Sequence, residues 1–326
     1  MAIDWSLFVA LVETNQRFLL TSHIRPDCDA LGSELGMAAV LEAAGKEVRI
    51  VNGHRTPPNL AFLDPGNRIE AIEDLQEDPS ADVDVLMVLD TSAWVQLGEM
   101  ADVVRGTSAT RVVLDHHKSG DDLGATELKD VSAEATGVLV VEASDALGLS
   151  LTAAAATPLF AAIATDTGWF RFPSTHSRTY QVAGRLTEAG ANPADIYGHL
   201  YEQETLARLN LRGLVLARVR TECEGALAYT HIRLADFEET GALGSDTEDL
   251  VNLSLTIKGT QAAVILVEQQ PDVYKVSFRS RCEMDCSEVA AEFNGGGHQA
   301  AAGGSVEGVF EDARRRVLDA VGSRLA

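Results

Sequence analysis

The sequence predicts an α/β protein in two parts: an N-terminal domain with a mostly parallel sheet flanked by helices, and a smaller C-terminal α/β domain, with a cleft between them. Three observations carry this expectation. Apolar, β-branched runs alternate with stretches of helical period through the first half; the pattern changes after about residue 220; and short segments rich in aspartate and histidine fall where strands are expected to end.

Strands are expected at 17–23, 47–52, 83–90 and 111–115. The first crossover helix carries Leu31, Leu35 and Ala38 on one face, and Gly45 beyond it suits a left-handed stop. Gly32 and Gly36, four residues apart, would let this helix approach a neighbour closely. Further helices are expected at 133–147, at 158–165 with Thr157 as N-cap, at 177–189, and from 193 to about 220 with breaks. Strands at 226–233, 261–268 and 273–280 follow, with helices at 247–255, 286–293 and 306–325. The expected division is a catalytic domain over 1–190, a helical linker over 191–215 and a second domain over 216–326.

The chain of 326 residues is 46% hydrophobic, enough for two cores, and its 23% charged residues are mixed along the length, which argues against disorder. Neither a signal peptide nor a membrane span is expected, and four cysteines without a CxxC pair suit reduced thiols in the cytoplasm. A net charge of −23 repels long polyanions, so any nucleic-acid substrate should be short and gripped locally.

Four segments hold the candidate chemistry: His23 with Asp27 and Asp29, then Asp90, then Asp115-His116-His117, then Asp166. In an open parallel sheet, ligands bind beyond the carboxyl ends of the strands, so these residues should meet at one rim. Asp27 and Asp29 are expected to point the same way from extended backbone with Cys28 turned aside, and Asp29 to cap the following helix. Carboxylates and imidazoles without thiolates suit Mn²⁺ or a similar divalent ion. So many carboxylates would repel one another unless cations neutralised them. Any one of these residues read alone is ordinary, a turn-forming aspartate or a surface histidine; the signal lies in the set.

The HxxPDxDALGS run at 23–33, the Asp90 segment, Asp115-His116-His117 and the Asp166 segment resemble the four motifs of the DHH phosphoesterase superfamily. Near the C-terminus, Asn294-Gly295-Gly296-Gly297-His298 is similar to the GGGH signature of the DHHA1 domain. The resemblance is greatest to short bacterial members that degrade nanoRNA and dephosphorylate pAp (3′-phosphoadenosine 5′-phosphate). It implies two divalent metal ions, Mn²⁺ by expectation. His23, Asp27 and Asp90 would hold one, and Asp29, Asp90, His116 and Asp166 the other, with Asp90 bridging. It also implies that Asp115 orients His116 and that His117 faces the scissile phosphate; spacing alone does not decide which of the adjacent histidines is the ligand.

In the second domain, Lys275, Ser277, Arg279 and Arg281 alternate with packing residues, giving one basic strand face. The glycines before His298 cannot support a helix and can turn backbone N–H groups toward an anion. The resemblance makes Arg279 and His298 phosphate-binding residues, Gly296 and Gly297 a phosphate-cradling backbone, and the protein a homodimer. Its implied substrates are RNA of two to about four nucleotides, including pApA, and pAp. The rivals are a phosphodiesterase of cyclic di-AMP or linear dinucleotides and, from a different class, a non-catalytic nucleotide-binding regulator, against which the filled ligand positions speak.

Overall fold

The computed structural model describes residues 3–325, and the chain divides into two compact units with the boundary between Gln203 and Glu204. In the first unit the elements run α1 (Trp5–Thr14), β1 (Arg17–Thr21), α2 (Cys28–Ala43), β2 (Glu47–Asn52), β3 (Ile69–Ala71), β4 (Val85–Leu89), α3 (Met100–Gly106), β5 (Thr110–Asp115) and β6 (Thr126–Lys129). Four helices follow: α4 (Thr136–Ala146), α5 (Ala153–Asp166), α6 (Ser177–Glu188) and α7 (Pro193–Tyr201). The six strands form one parallel sheet in the order β3-β2-β1-β4-β5-β6. Alternation along each strand sends Phe18, Leu20, Met87 and Leu114 into a core shared with α2, α4 and α5, and Leu19, Leu86, Val88 and Val113 into a second core beneath α3.

That strand order places the topological switch between β1 and β4, the position where an open α/β sheet leaves a crevice at its carboxyl edge. Helix α2 is brought hard against α5 by its glycines: a Cβ at Gly32 would lie 2.3 Å from the Pro158 carbonyl oxygen, and one at Gly36 would lie 2.4 Å from the Leu159 side chain. Helix α2 ends in a Schellman closure, with Gly45 at φ +77°, its N–H on the Glu42 carbonyl and that of Lys46 on the Leu41 carbonyl.

Several sequence expectations change. Helix α5 starts at Ala153 with the Thr152 side chain capping it, so Thr157 is no cap and Pro158 lies inside the helix. β3 and β6 are strands of three and four residues, too short and too exposed to leave a pattern.

The second unit runs α8 (Leu206–Ala217), β7 (Arg220–Glu222), β8 (Leu227–Ile232), α9 (Leu234–Thr240), α10 (Leu250–Ser254), β9 (Ala262–Gln270), β10 (Val273–Ser280), α11 (Cys286–Ala291), β11 (Gly296–His298), β12 (Ala301–Glu307) and α12 (Phe310–Gly322). Its sheet is mixed, in the order β11-β12-β10-β9-β8-β7, with β8 and β9 parallel and the other pairs antiparallel. One face packs on α11 and α12 through Tyr274, Val276 and Phe278, and the other on α8 and α10 through Ala263, Ile265 and Val267. Val306 belongs to β12, so the closing helix is shorter than the apolar spacing from 306 suggests.

Candidate metal centre

β1 and β4, the two strands flanking the switch, deliver His23 with Asp27 and Asp90, and β5, next to β4, delivers Asp115-His116-His117. Asp166 arrives from elsewhere, as the last residue of α5. Asp27 is the N-cap of α2, its Oδ1 accepting from the backbone N–H groups of Asp29 and Ala30, so the helix begins at Cys28. This corrects both expectations for the DxD pair: the backbone is extended at Asp27 but helical from Cys28 on, and the cap is Asp27 rather than Asp29. Cys28 is packed in the core, where burial pushes its thiol up to about 12.

Asp29, 2% exposed, is held by Ser33 Oγ at 3.1 Å and by the first two N–H groups of α4, Thr136 N at 2.7 Å and Gly137 N at 2.9 Å. Its carboxylate therefore lies at the N-terminal ends of two helices, its own and α4. Asp90 takes φ +61°, a left-handed turn at the strand end, and its Oδ1 accepts from Thr136 Oγ1 at 2.9 Å.

The two candidate ligand histidines are oriented alike. His23 Nδ1 donates to its neighbour's carbonyl, Ile24 O, at 3.0 Å, and His116 Nδ1 to Ala133 O at 3.2 Å, so each turns Nε2 toward the carboxylates. His23 Nε2 lies 3.4 Å from Asp90 Oδ2 and 3.9 Å from Asp27 Oδ1. His116 Nε2 lies 3.5 Å from Asp90 Oδ1, 3.6 Å from Asp166 Oδ2 and 3.7 Å from Asp29 Oδ2. The donors thus gather as His23–Asp27–Asp90 and Asp29–His116–Asp166, with one oxygen of Asp90 turned to each group.

His117 differs from its neighbour. Its backbone N–H and its ring Nδ1–H both donate to Asp115 Oδ1 at 2.9 Å, an Asx turn that captures the ring as well. Asp115 therefore orients His117, and the expectation that it orients His116 is corrected: a side chain that bonds two residues ahead reaches the second histidine, while the first swings to Ala133.

The electrostatics show what the cluster lacks. Burial, then the neighbouring Asp29 and Asp27, push Asp90 well above the ordinary carboxylate range, and burial and Asp29 push Asp166 up to about 6. Asp115 goes the other way: burial raises it, but bonds from His117, Ser92 and Lys129 outweigh burial and hold it below the usual range. Hydrogen bonding to Asp115 raises His117. Four carboxylates and two imidazole nitrogens, with no lysine or arginine among them, fit hard-to-borderline divalent cations by donor type and by their need for positive charge. A pocket of about 240 Å³ opens beside them, bordered by Thr91, Ser92, Gln96, His117 and Ser119.

In the second unit, β10 alternates as expected, with Tyr274, Val276 and Phe278 buried and Lys275, Ser277 and Arg279 on the other face. Arg279 donates to Asn252 Oδ1 at 3.1 Å and to Phe278 O at 3.0 Å. Arg279 and His298 both pair with Ala301 in register, so they share one face of the sheet. The glycine run is an edge strand rather than an open loop. A Cβ at Gly295 would lie 2.0 Å from the Gly303 carbonyl oxygen, and Gly297, at φ +151°, lies flat on Ala302, whereas Gly296 faces open space.

Residues 17–163 match the DHH family, N-terminal domain, and residues 228–326 match the DHHA1 domain. A bifunctional oligoribonuclease and PAP phosphatase of Thermus thermophilus is 33% identical over 309 residues, covering 94% of this chain and 89% of its own. Its counterpart in Bacillus subtilis is 29% identical over 305 residues, covering 92% of each. Among solved structures, an exopolyphosphatase-related protein from Bacteroides fragilis matches with a TM-score of 0.79 at 27% identity, over 98% of this chain and 95% of that one. With both domains matched in order and a relative one-third identical along nearly the whole length, the chain belongs to the DHH family in its DHH–DHHA1 form and is a hydrolytic phosphoesterase.

Proposed function

We propose that this phosphoesterase hydrolyses oligoribonucleotides of two to about four residues to mononucleotides and dephosphorylates pAp to AMP, as a cytoplasmic homodimer using two divalent ions, Mn²⁺ by preference. The observation that carries the chemistry is the Asp90 carboxylate, with Oδ2 3.4 Å from His23 Nε2 and Oδ1 3.5 Å from His116 Nε2. One oxygen for each imidazole is what a bridging ligand between two cations provides. The substrates are supported by the relatives named above, whose names state oligoribonuclease and PAP phosphatase activity, and by a net charge of −23 that disfavours long strands.

In this reading His23, Asp27 and Asp90 hold one ion, and Asp29, Asp90, His116 and Asp166 the other. When bound, the pair supplies activation of a water and neutralisation of charge on the phosphoryl oxygens. The chain's own contribution is orientation. The Ile24 and Ala133 carbonyls fix the tautomers of His23 and His116, and the first two N–H groups of α4 fix the Asp29 carboxylate in place. His117, its Nδ1–H committed to Asp115, presents Nε2 to the scissile phosphate. In the second unit, Arg279 and His298 bind a terminal phosphate, with the edge strand that carries Gly296 and Gly297 presenting backbone beside them.

A time course with Mn²⁺ on 5′-phosphorylated RNA from two to about twenty nucleotides, run beside pAp and cyclic di-AMP, tests the substrate assignment. The highest rates are expected at two to four nucleotides, with turnover of pAp. Equal rates at all lengths would overturn the short-substrate reading, and a clear preference for cyclic di-AMP would replace it.

A further inference from the structure

Asp115 ends β5 with no solvent exposure, and donors occupy both its oxygens. Oδ1 takes the two N–H groups of His117, while Oδ2 accepts from Ser92 Oγ at 2.8 Å and lies 3.0 Å from Lys129 Nζ. Lys129 ends β6, and its register partner across the sheet is Asp115 itself. The same ammonium donates to Ser92 Oγ at 2.7 Å and to the Ser119 carbonyl at 3.2 Å.

The directions of these bonds are forced. An ammonium only donates, so Ser92 accepts from Lys129 and must give its single proton to Asp115. The chain makes room for this arrangement: a Cβ at Gly120 would lie 2.1 Å from Ser92 Oγ and 3.1 Å from Lys129 Nζ. Ser92, Ser119 and His117 all border the pocket beside the metal ligands, so the ammonium ties together three parts of its wall. Lys129 has no place in the DxD, Asp90, Asp115-His116-His117 or Asp166 segments, and it lies 14 residues beyond Asp115 in sequence, brought back only by the pairing of β5 with β6.

We propose that Lys129 is a positioning residue for hydrolysis, neutralising and fixing Asp115 so that this carboxylate takes the Nδ1–H of His117 and leaves Nε2 aimed at the substrate. The inference rests on the reading of His117 as the group that faces the scissile phosphate. Without the ammonium, Oδ2 of the fully buried Asp115 keeps only one neutral donor, and the carboxylate loses the charge that offsets its burial. The His117 ring then loses its fixed acceptor, while the donors that gather at Asp90 keep their own partners.

A double-mutant cycle separates this role from simple support of the sheet edge. Lys129→Met is made in the wild-type and His117→Ala backgrounds and assayed on pApA with saturating Mn²⁺, with bound metal measured in all four proteins. Removing a partner that fixes an imidazole should lower kcat by about tenfold to a hundredfold in the wild-type background, with KM changed by less than about threefold. In the His117→Ala background the same substitution should change kcat by less than about twofold, because its effect passes through a ring no longer present. In the metal-free protein, the downfield imidazole N–H proton resonance assigned to His117 by its loss in His117→Ala should be sharp in wild type and exchange-broadened in Lys129→Met. Lys129→Gln, which keeps a donor but not the charge, carries the same cycle if Lys129→Met does not fold. An equal fall in both backgrounds, or an unchanged N–H resonance, would overturn the proposal. If His117→Ala itself left kcat unchanged, the reading of His117 would fail first, and this inference with it.

Discussion

In the first unit the buried groups displaced farthest from ordinary values are mostly acids pushed up: Asp90 well above the carboxylate range, Asp166 to about 6 and Glu34 to about 8. In the second unit burial pushes the Cys286 thiol up to about 11, but the group displaced farthest is a base pushed down, His231, lowered to about 4 by burial and by Arg218 and Arg233. The cations around His231 are already engaged: Arg218 forks onto Asp236, Arg314 pairs with Glu311 at 2.7 Å, and Arg233 lies 3.8 Å above the Phe310 ring. Among the described residues no lysine or arginine pairs with the carboxylates around Asp90, whose partners are imidazoles, hydroxyls and backbone N–H groups. Crowded charge that is internally paired holds a fold together, whereas crowded charge left open marks a site that needs a ligand of the opposite sign.

The largest expected effect breaks the open cluster at its centre. Asp90→Ala removes the one carboxylate that faces both imidazoles, so metal stoichiometry should fall and kcat/KM on pApA should drop by at least about a thousandfold, the several kcal/mol expected of metal-assisted charge stabilisation. The metal-free variant should melt no lower than metal-free wild type, because an anion disfavoured by burial and by like charges has been deleted. Near-wild-type turnover would remove Asp90 from the centre. A much lower melting temperature without metal would show that the carboxylate is a structural partner and that the contrast between the units is false.

The next effect lies on stability. Glu34 is fully buried in α2; its Oε2 accepts from Asn52 Nδ2 at 2.9 Å, and Asn52 Oδ1 accepts from the Ser22 N–H at 3.0 Å, just ahead of His23. Burial is the main cause that raises Glu34 to about 8, against lowering contacts from Asn52 and Ser22. The folded chain therefore keeps a proton that the unfolded chain releases near pH 4.5, and stability falls as pH rises from about 4.5 through 8. Glu34→Gln keeps the acceptor for Asn52 and puts an uncharged amide N–H donor where the protonated carboxyl carries its O–H. Relative to wild type, the variant should gain stability across that window, by about 3–5 kcal/mol at its alkaline end. Urea unfolding of the chelated proteins at pH 5 and pH 8.5 measures it, and parallel pH dependences would show that Glu34 is ionised in the folded state throughout.

How much of this was legible beforehand follows from the range of each interaction. The strands that carry His23, Asp90 and Asp115 could be read because each is five or six residues long and apolar on both faces, and the ligands sit at their ends. The cap is Asp27 where Asp29 was expected because capping is settled by which carboxylate first meets two free N–H groups, and spacing does not reveal that. The partner of Asp115 depended on an Asx turn at the strand end, a local geometry open to either histidine in sequence. Lys129 could not be found without β6, a strand whose four residues include only one that is buried. In the second unit the basic face of β10 was visible as alternation, but the edge strand formed by the glycines was not, because their close approach to β12 depends on a pairing partner.

The smallest expected effect tests whether any cation of the second unit is left open for substrate. Arg279 donates only to neutral oxygens, Asn252 Oδ1 and Phe278 O, and among the described residues no carboxylate lies within ion-pair distance of it, unlike Arg218 or Arg314. Its charge is therefore free to meet a phosphate. If that phosphate is not the one being cleaved, the contact is complete in the ground state, and Arg279→Ala should raise KM more than it lowers kcat. Loss of one charge-assisted contact should cost about 1.5–3 kcal/mol, roughly tenfold to a hundredfold in kcat/KM on pApA. Melting temperature and metal content should stay near wild type, since the substitution strands no buried counter-charge. Asn252→Ala, which leaves the guanidinium in place but removes the amide that aims it, should shift KM in the same direction by less, because only the orientation is loosened. Steady-state kinetics of both variants decide the matter: a fall confined to kcat would move Arg279 to the reacting phosphate, and wild-type kinetics in both would make β10 a solvated strand face.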